Sequence, residues 1–136
     1  MGIFLGTKIY DSCCGILNQQ RVKIILKIKR IYEPFSIEDG SRILVERLWP
    51  RGFSKESAHI DIWMKDIAPS TELRKWFNHE DEKWERFQEE YKKELKNNPL
   101  FLELEKIVQE KRNVTLIYSS KNLEHNNAVV LYNLLR

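Results

Sequence analysis

The sequence predicts one α/β domain in which helices flank a small, mainly parallel sheet of three to four strands. Two short runs, 42–49 and 114–118, are apolar on both faces, as in strands that a sheet buries on both sides. A third run, 22–32, alternates apolar and basic residues, which is typical of a strand with one solvent-exposed face. Several longer segments carry one apolar stripe at helical spacing and would supply the flanking helices.

Composition fits a folded protein of one domain. The 136 residues are 42% hydrophobic and 32% charged, a balance that argues against wholesale disorder and supports a core without a disulfide or metal. The formal net charge of +3 permits anionic ligands, whereas a dedicated nucleic-acid binder would be expected to carry a strongly basic face. Nucleic acid is therefore the less favoured partner.

The cysteines and the apolar runs predict a cytoplasmic protein. Cys13 and Cys14 are adjacent and have no other cysteine to pair with, which indicates a reduced environment. No apolar run reaches the roughly 18 residues of a spanning helix, and the first 20 residues do not resemble a signal peptide. We therefore expect no membrane anchor.

Residues 1–20 show no clear period and are predicted to be an N-terminal extension of a single domain at 21–136. An alternative is that residues 3–10 add an edge strand. The domain then begins with the alternating strand at 22–32. Three lysines share the solvent-exposed face of that strand, which we call its lysine side: Lys23, Lys27 and Lys29.

The stretch 39–52 organises the predicted sheet. Asp39-Gly40 predicts a turn, and Pro50-Arg51-Gly52 ends the strand at 42–49. Both faces of this strand begin apolar and end charged. In open α/β sheets the carboxyl end of such a strand opens into the crevice where ligands bind.

The next segments predict helices. Residues 53–68 are interpreted as two short helical turns, the second around 61–65. Ser70 is a candidate N-cap for a helix that ends near Asn78, because an acidic residue follows in its first turn.

Two longer helices are expected after that. The first spans about 80–96 and is capped by Asn78 or His79. The second starts at Asn98, with a proline in its first turn, and ends near residue 111. The buried stripe of the first consists of Trp84, Phe87, Tyr91 and Leu95.

The last interior strand, 114–118, leads into a candidate anion site. A helix, predicted at about 123–135, would follow it and present free backbone N–H groups and the positive end of its dipole. Hydroxyls and a lysine beside that helix start would complete an anion cradle. The alternative is that this loop only caps the helix. The candidate ligands are Ser119, Ser120, Lys121 and Asn122, with His125 one turn into the helix.

Three arginines are expected at the same edge of the sheet. Arg30 and Arg47 fall on the apolar side of strand ends, and Arg51 follows a proline. Burying a guanidinium without a partner costs several kcal/mol, so each needs a carboxylate or an anionic ligand. The alternative is a structural salt-bridge network. Its candidate acids are Glu33, Asp39 and Glu46.

The sequence does not assign catalytic residues. It contains none of the common catalytic or nucleotide-binding motifs, so no cofactor is expected, and its histidines share no metal-ligand spacing. One alternative is Ser119 or Ser120 as a nucleophile with His125 as its base. Whether the protein is an enzyme, and its oligomeric state, are left open.

Four stretches resemble a known family. They are Lys-Arg-Ile-Tyr-Glu-Pro at 29–34, Asp-Gly-Ser-Arg-Ile-Leu-Val-Glu-Arg-Leu-Trp-Pro-Arg-Gly at 39–52, Ala-Pro-Ser-Thr-Glu-Leu-Arg-Lys-Trp-Phe at 68–77, and Leu-Ile-Tyr-Ser-Ser-Lys-Asn with His-Asn-Asn-Ala at 116–128. In this order and spacing they are similar to the YeaO-like branch of the domain-of-unknown-function 488 (DUF488) family.

The resemblance implies a small cytosolic α/β protein of bacteria or archaea, from a family without a settled biochemical role. In that family an acid usually ends the loop after the last strand, and the next helix start resembles His-Asn-His. This chain has Asn122 in place of the acid and Asn127 in place of the second histidine. The missing acid favours an anion site and disfavours acid–base chemistry in this loop.

We therefore expect a pocket at the carboxyl edge of the sheet that holds the phosphate or carboxylate of a small, for example nucleotide-like, ligand. The rival hypothesis is a nucleic-acid or protein interaction module with a regulatory role. Its electrostatic footprint would be the lysine side of the first strand.

Overall fold

Four parallel strands form one sheet in the computed structural model, which describes residues 23–136. The strands are β1 (Ile25–Arg30), β2 (Ser41–Leu44), β3 (Ile62–Trp63) and β4 (Asn113–Tyr118). Their order across the sheet is β1-β4-β2-β3, so the last strand in sequence lies between the first two. The helices are α1 (Lys55–Ala58), α2 (Thr71–Phe77), α3 (Trp84–Lys96), α4 (Pro99–Lys111) and α5 (Asn127–Leu135).

The predicted α/β class with a mainly parallel sheet is confirmed. The predicted extension at 1–20, its alternative edge strand at 3–10, and both cysteines lie outside the described residues. Within 23–136, no helix combines the length and apolar character needed to cross a membrane.

β2 is shorter than the predicted strand at 42–49. The last bond toward β4 joins the Val45 N–H to the Ile117 carbonyl at 3.1 Å. Beyond it, side chains replace strand partners: Asn127 donates to the Val45 carbonyl at 2.7 Å, and Trp63 Nε1 donates to the Glu46 carbonyl at 2.7 Å. Because these side chains satisfy the backbone acceptors, the chain leaves the sheet before Arg47.

The interpretation of 61–65 as a helical turn is wrong. Ile62–Trp63 form the edge strand β3, and the Met64 N–H extends the pairing to the Leu44 carbonyl at 2.9 Å. Pairing with a buried strand outweighs a weak local preference here. The first of the two predicted turns is present as α1, where Ser54 accepts a hydrogen bond from the Ser57 N–H.

Two of the three helix starts predicted from caps are confirmed. Ser70 accepts a hydrogen bond from the Leu73 N–H at the start of α2, and Asn98 accepts one from the Leu100 N–H at the start of α4. α3 begins at Trp84 rather than near residue 80, because a 3-10 turn precedes it. Asn78 ends α2 in the left-handed conformation. The N-cap position of α3 is Lys83, so neither Asn78 nor His79 caps this helix.

α5 begins at Asn127, four residues later than predicted, with Asn126 as its N-cap. The Asn122 carboxamide causes the delay, because its oxygen accepts hydrogen bonds from the N–H groups of Glu124 and His125 at 3.0 and 2.9 Å. The consequence is a long loop, 119–126, that runs along the carboxyl edge of the sheet. His125 therefore precedes the helix and does not lie inside it.

Side chains cover the sheet on both faces. Ile43 and Leu116 point into the larger core, which holds the aromatic stripe of α3 together with residues of α2, α4 and α5. Leu44 and Ile117 point the other way, into a smaller cluster with Ile31. This alternation is what a strand buried on both faces requires. Of the predicted stripe, Phe87, Tyr91 and Leu95 are buried and Trp84 is partly buried.

Candidate functional site

A cleft of about 1010 Å³ opens at the carboxyl edge of the sheet. Parallel pairing brings the ends of β1, β2 and β4 to this edge, and the segments that follow these strands form much of its wall. The structure brings all eight predicted site residues to this one cleft; that they bind a ligand stays a prediction. They are Arg30, Arg47, Arg51, Ser119, Ser120, Lys121, Asn122 and His125.

The wall of the cleft is strongly cationic. Of residues 23–136, five arginine or lysine side chains line it, against a single carboxylate, that of Glu46. Arg74, which reaches the cleft from α2, was not predicted, because the position of a helix beside the sheet is not visible in a strand pattern. The cations are Arg30, Arg47, Arg51, Arg74 and Lys121.

Arg30 is held by the loop that follows β4. Its Nε donates to the carbonyls of Ser119 and Ser120 at 3.3 and 2.9 Å, and its guanidinium lies 4.6 Å from the centre of the Tyr32 ring. Among residues 23–136, no carboxylate lies within 4.0 Å of this guanidinium. Backbone carbonyls therefore orient Arg30 and leave its positive charge uncompensated at close range.

Arg47 is anchored more firmly to the protein. Its Nη1 pairs with Asp66 at 3.4 Å, and its Nη2 donates to the carbonyls of Ala68 and Pro69, each at 3.2 Å. Its Nε is the only fully buried side-chain polar atom without a hydrogen-bond partner in the described part of the chain. Arg47 thus braces the segment before α2 and also faces the cleft.

The alternative salt-bridge network does not form with the acids named for it. Glu33 accepts a hydrogen bond from the backbone N–H of Arg30 at 3.0 Å, and Asp39 pairs with Lys29 and Arg42. Neither carboxylate, nor that of Glu46, lies within 4.0 Å of a guanidinium of the three predicted arginines.

The loop 119–126 is tied to the start of α3. Asp81 accepts hydrogen bonds from Asn122 Nδ2 at 3.1 Å and from the His125 ring at 2.8 Å, and the His125 ring stacks on Trp84 at 4.6 Å. The hydrogen bond from His125 lowers the pKa of Asp81 below its usual range. These contacts fix the outer wall of the cleft.

The suggested serine nucleophile is not hydrogen-bonded to its suggested base. In the described chain, no hydrogen bond joins His125 to the hydroxyl of Ser119 or Ser120. The Ser120 hydroxyl instead accepts a hydrogen bond from the Asn122 N–H at 3.1 Å. The expected cradle at the start of the last helix is also displaced, because α5 starts after this loop.

Glu46 occupies the inner part of the cleft. One of its oxygens accepts a hydrogen bond from the Ser119 N–H at 3.0 Å. Burial raises the pKa of this carboxyl above its usual range, and the hydrogen bond from Ser119 and the positive charge of Arg74 oppose that rise only in part. Glu46 was predicted only as a partner for arginine. Its position at the end of a buried run was the available signal.

Glu46→Gln is expected to raise the free energy of unfolding at neutral pH by about 1 kcal/mol, the usual size of a single-site change. The pKa of Glu46 is higher in the folded state than in the unfolded state. The folded protein therefore loses stability as the pH rises from the unfolded-state pKa through the folded-state pKa, because the buried carboxyl must then become charged. Below that interval the carboxyl is protonated in both states and the difference should vanish. Urea unfolding at pH 7 should show the variant to be more stable than the wild type. The same measurement at pH 4 should show that this difference becomes small. A variant less stable than wild type at pH 7 would contradict it.

The described residues do not offer a metal site. No three histidine, cysteine, aspartate or glutamate side chains within 23–136 come close enough together to hold an ion. What the cleft offers is positive charge, hydroxyl and amide groups, and an apolar floor that includes Phe77 and Phe87. Such a wall suits an anionic group attached to a less polar body.

Comparison with known proteins finds relatives across the described domain. Residues 25–136 match the family described as the inactive DUF488-N3 subclade. The chain is 43% identical over 111 residues to the uncharacterized protein YeaO of Escherichia coli, which covers 82% of this chain and 96% of YeaO. It is 36% identical over 110 residues to an uncharacterized protein of Mycobacterium tuberculosis and to one of Mycobacterium bovis, covering 81% of this chain and 92% of each relative. No solved structure matches the chain.

Proposed function

The chain belongs to the DUF488 family, as its motifs predicted, and we propose that it binds a small organic anion, through a phosphate or carboxylate, in the cleft at the carboxyl edge of its sheet. The observation that carries the proposal is the charge of the wall, with five cationic side chains against one carboxylate. A cluster of like charges is unfavourable, and an anionic ligand would relieve it.

The least compensated of these cations are the best candidate ligands. Among residues 23–136, no carboxylate lies within 4.0 Å of the charged group of Arg30, Arg51 or Lys121. Two of these groups, Arg51 and Lys121, are exposed and need little desolvation to reach a phosphate. Arginine forks and lysine ammonium groups both bind phosphate through charge-assisted hydrogen bonds.

The size of the cleft favours an organic ligand over a bare ion. Its volume of about 1010 Å³ lies at the upper end of the roughly 300–1,000 Å³ of drug-sized sites. A phosphate alone would fill only a small part of it. A nucleotide-like molecule is one example of a ligand that would use both the cationic wall and the apolar floor.

Binding without catalysis is the form of the proposal that the observations favour. The matching subclade is described as inactive, and the two loop serines have no hydrogen bond to His125. Asn122 is uncharged where the family usually has an acid, so this position adds no carboxylate that would repel an anion.

The rival interaction module has less support from the lysine side of β1. Lys27 donates to the Glu38 carbonyl at 2.7 Å and to Asn113 at 2.8 Å, and Lys29 pairs with Asp39 at 3.0 Å. Two of its three lysines are therefore bound to oxygens of the chain itself. An electrostatic footprint for nucleic acid needs cations that are available to phosphates.

The test is a thermal-shift screen of phosphorylated metabolites, nucleotides and small carboxylates on the wild type and on the double variant Arg51→Gln/Lys121→Gln. We expect at least one compound to raise Tm, because a ligand at a hundred times its Kd adds about 2.7 kcal/mol to the free energy of unfolding. The double variant should bind that compound at least about tenfold more weakly, since each lost charge-assisted hydrogen bond is worth about 1.5–3 kcal/mol.

The matched control is Lys92→Gln/Lys106→Gln, which removes the same charge from exposed positions on α3 and α4 that do not line the cleft. It should keep the wild-type response. A wild type whose Tm responds to none of these anions, or a control that loses as much affinity as the cleft variant, would overturn the proposal.

A further inference from the structure

Glu46 is the feature of the cleft that an anion alone does not explain. It is the only carboxylate on a wall with five cations, yet no cation within 23–136 lies within 4.0 Å of it. A carboxylate that is largely removed from water and has no ion pair is unfavourable. It would also repel the charged group of the proposed ligand.

One oxygen of Glu46 is available to a ligand. Oε2 accepts the Ser119 N–H at 3.0 Å, and the Ser119 hydroxyl lies close enough to the carboxyl to oppose the rise of its pKa. No hydrogen bond within the described chain ends at Oε1. Arg47 Nε is the only side-chain polar atom in that part of the chain that is both fully buried and without a partner. Oε1 must therefore keep accessible surface, and Glu46 lines the cleft. The backbone bond at Oε2 holds the carboxylate in place while Oε1 remains an acceptor.

The charge of the wall decides what kind of donor this acceptor suits. An ammonium group on the ligand would pair with Glu46, but it would meet five cationic side chains in the same cleft. A hydroxyl group donates a hydrogen bond to a carboxylate without adding positive charge, and such bonds to an ionised acceptor are strong.

We propose that Glu46 is a specificity-determining residue that accepts a hydrogen bond from a hydroxyl group of the bound anion, so that the ligand is a hydroxylated phosphate or carboxylate. This inference rests on the proposed function. The cationic groups of Arg30, Arg51 and Lys121 take the charged group, and Glu46 selects ligands whose hydroxyl lies near it. An anion without hydroxyls gains nothing from Glu46 and is repelled by it.

The test compares phosphates that differ only in hydroxyl groups. Glycerol 3-phosphate and propyl phosphate form a small pair, and adenosine monophosphate and its 2′,3′-dideoxy analogue form a larger one. Titration calorimetry on the wild type should show that the hydroxylated member of at least one pair binds at least about tenfold more tightly.

Two variants identify Glu46 as the cause. Glu46→Met has a similar length but lacks a strong acceptor, and it should lose the preference; Glu46→Gln should reduce it. Both should bind the phosphate without hydroxyls more tightly than the wild type does, because a like charge is gone. Glu89→Gln, at an exposed position on α3 outside the cleft, should behave as wild type.

Each other outcome has a distinct meaning. If the wild type binds both members of each pair equally, or if Glu46→Met keeps the preference, this inference is overturned and the anion site stands. If the wild type binds none of the four phosphates, this inference is overturned, and the thermal-shift screen of phosphorylated metabolites, nucleotides and small carboxylates decides the anion site separately. Circular dichroism of each variant separates these outcomes from a failure to fold.

Discussion

Replacing Asp39 by alanine is expected to lower the free energy of unfolding by about 3–5 kcal/mol, the usual result of leaving a buried charge without its partner. Arg42 has the largest fully buried side chain in the described chain, at 2% exposure, and Asp39 is its only carboxylate partner there. The guanidinium would keep its hydrogen bonds to the carbonyls of Ala58 and His59, at 3.1 and 2.9 Å, and its place 5.4 Å from the centre of the Phe35 ring, but no negative charge. Lys29 would lose its salt bridge as well.

The control for this prediction is Asp66→Ala. Asp66 also pairs with an arginine, Arg47, but its side chain is 66% exposed, so the loss should be about 0–1 kcal/mol. Urea unfolding followed by circular dichroism measures both variants. Equal losses would show that burial of the Asp39 pair does not set its contribution.

Acid should weaken the same contact. Burial alone would raise the pKa of Asp39, but hydrogen bonds from Lys29, the Ser36 N–H and Arg42 outweigh it and hold the pKa below the ordinary value of 3.8. The stabilisation by Asp39 is therefore present above that value and lost as the pH falls through the folded-state pKa.

Gly40→Ala is expected to be the second most damaging change. Gly40 has φ +68°, which costs a residue with a side chain about 1–3 kcal/mol. An added Cβ would also lie 2.3 Å from the Asn113 carbonyl oxygen and 2.6 Å from Asn113 Cγ, so the backbone at the start of β4 would have to move. The total loss should exceed the cost of the backbone conformation alone.

Gly52→Ala separates the cost of the positive φ from the cost of the steric contact with Asn113. Gly52 has φ +87°, but an added Cβ would meet no atom within 4 Å. Its loss in urea unfolding should therefore reflect backbone conformation only and be the smaller of the two. If both alanine variants lose the same stability, the close approach between Gly40 and Asn113 contributes nothing.

Much of the cleft could be predicted because parallel strands place their ends at one edge. Arg30 and the residues after β4 were predicted because they lie at the C-terminal ends of apolar runs, and no knowledge of their contacts was needed. Arg47 reaches the same cleft although β2 ends before it, because the chain leaving the strand stays at that edge.

The remaining features depend on contacts between distant segments. Asn127 and Trp63 end β2 by bonding to its carbonyls, and Asn122 delays α5 by bonding to the N–H groups that follow it. These side chains act at specific distances that periodicity does not encode. The partner of Arg42 was missed for a related reason, since Asp39 had been considered only for the arginines of the cleft.

The strand order has a consequence for how the protein forms during synthesis. β1 and β2 are consecutive in sequence, yet they do not pair with each other; each pairs with β4. A nascent chain that stops before Asn113 thus holds two strands without the one that joins them. The sheet, and with it the cleft, can be completed only after β4 leaves the ribosome, so the backbone edges at which β1 and β2 pair with β4 lack their partner until then.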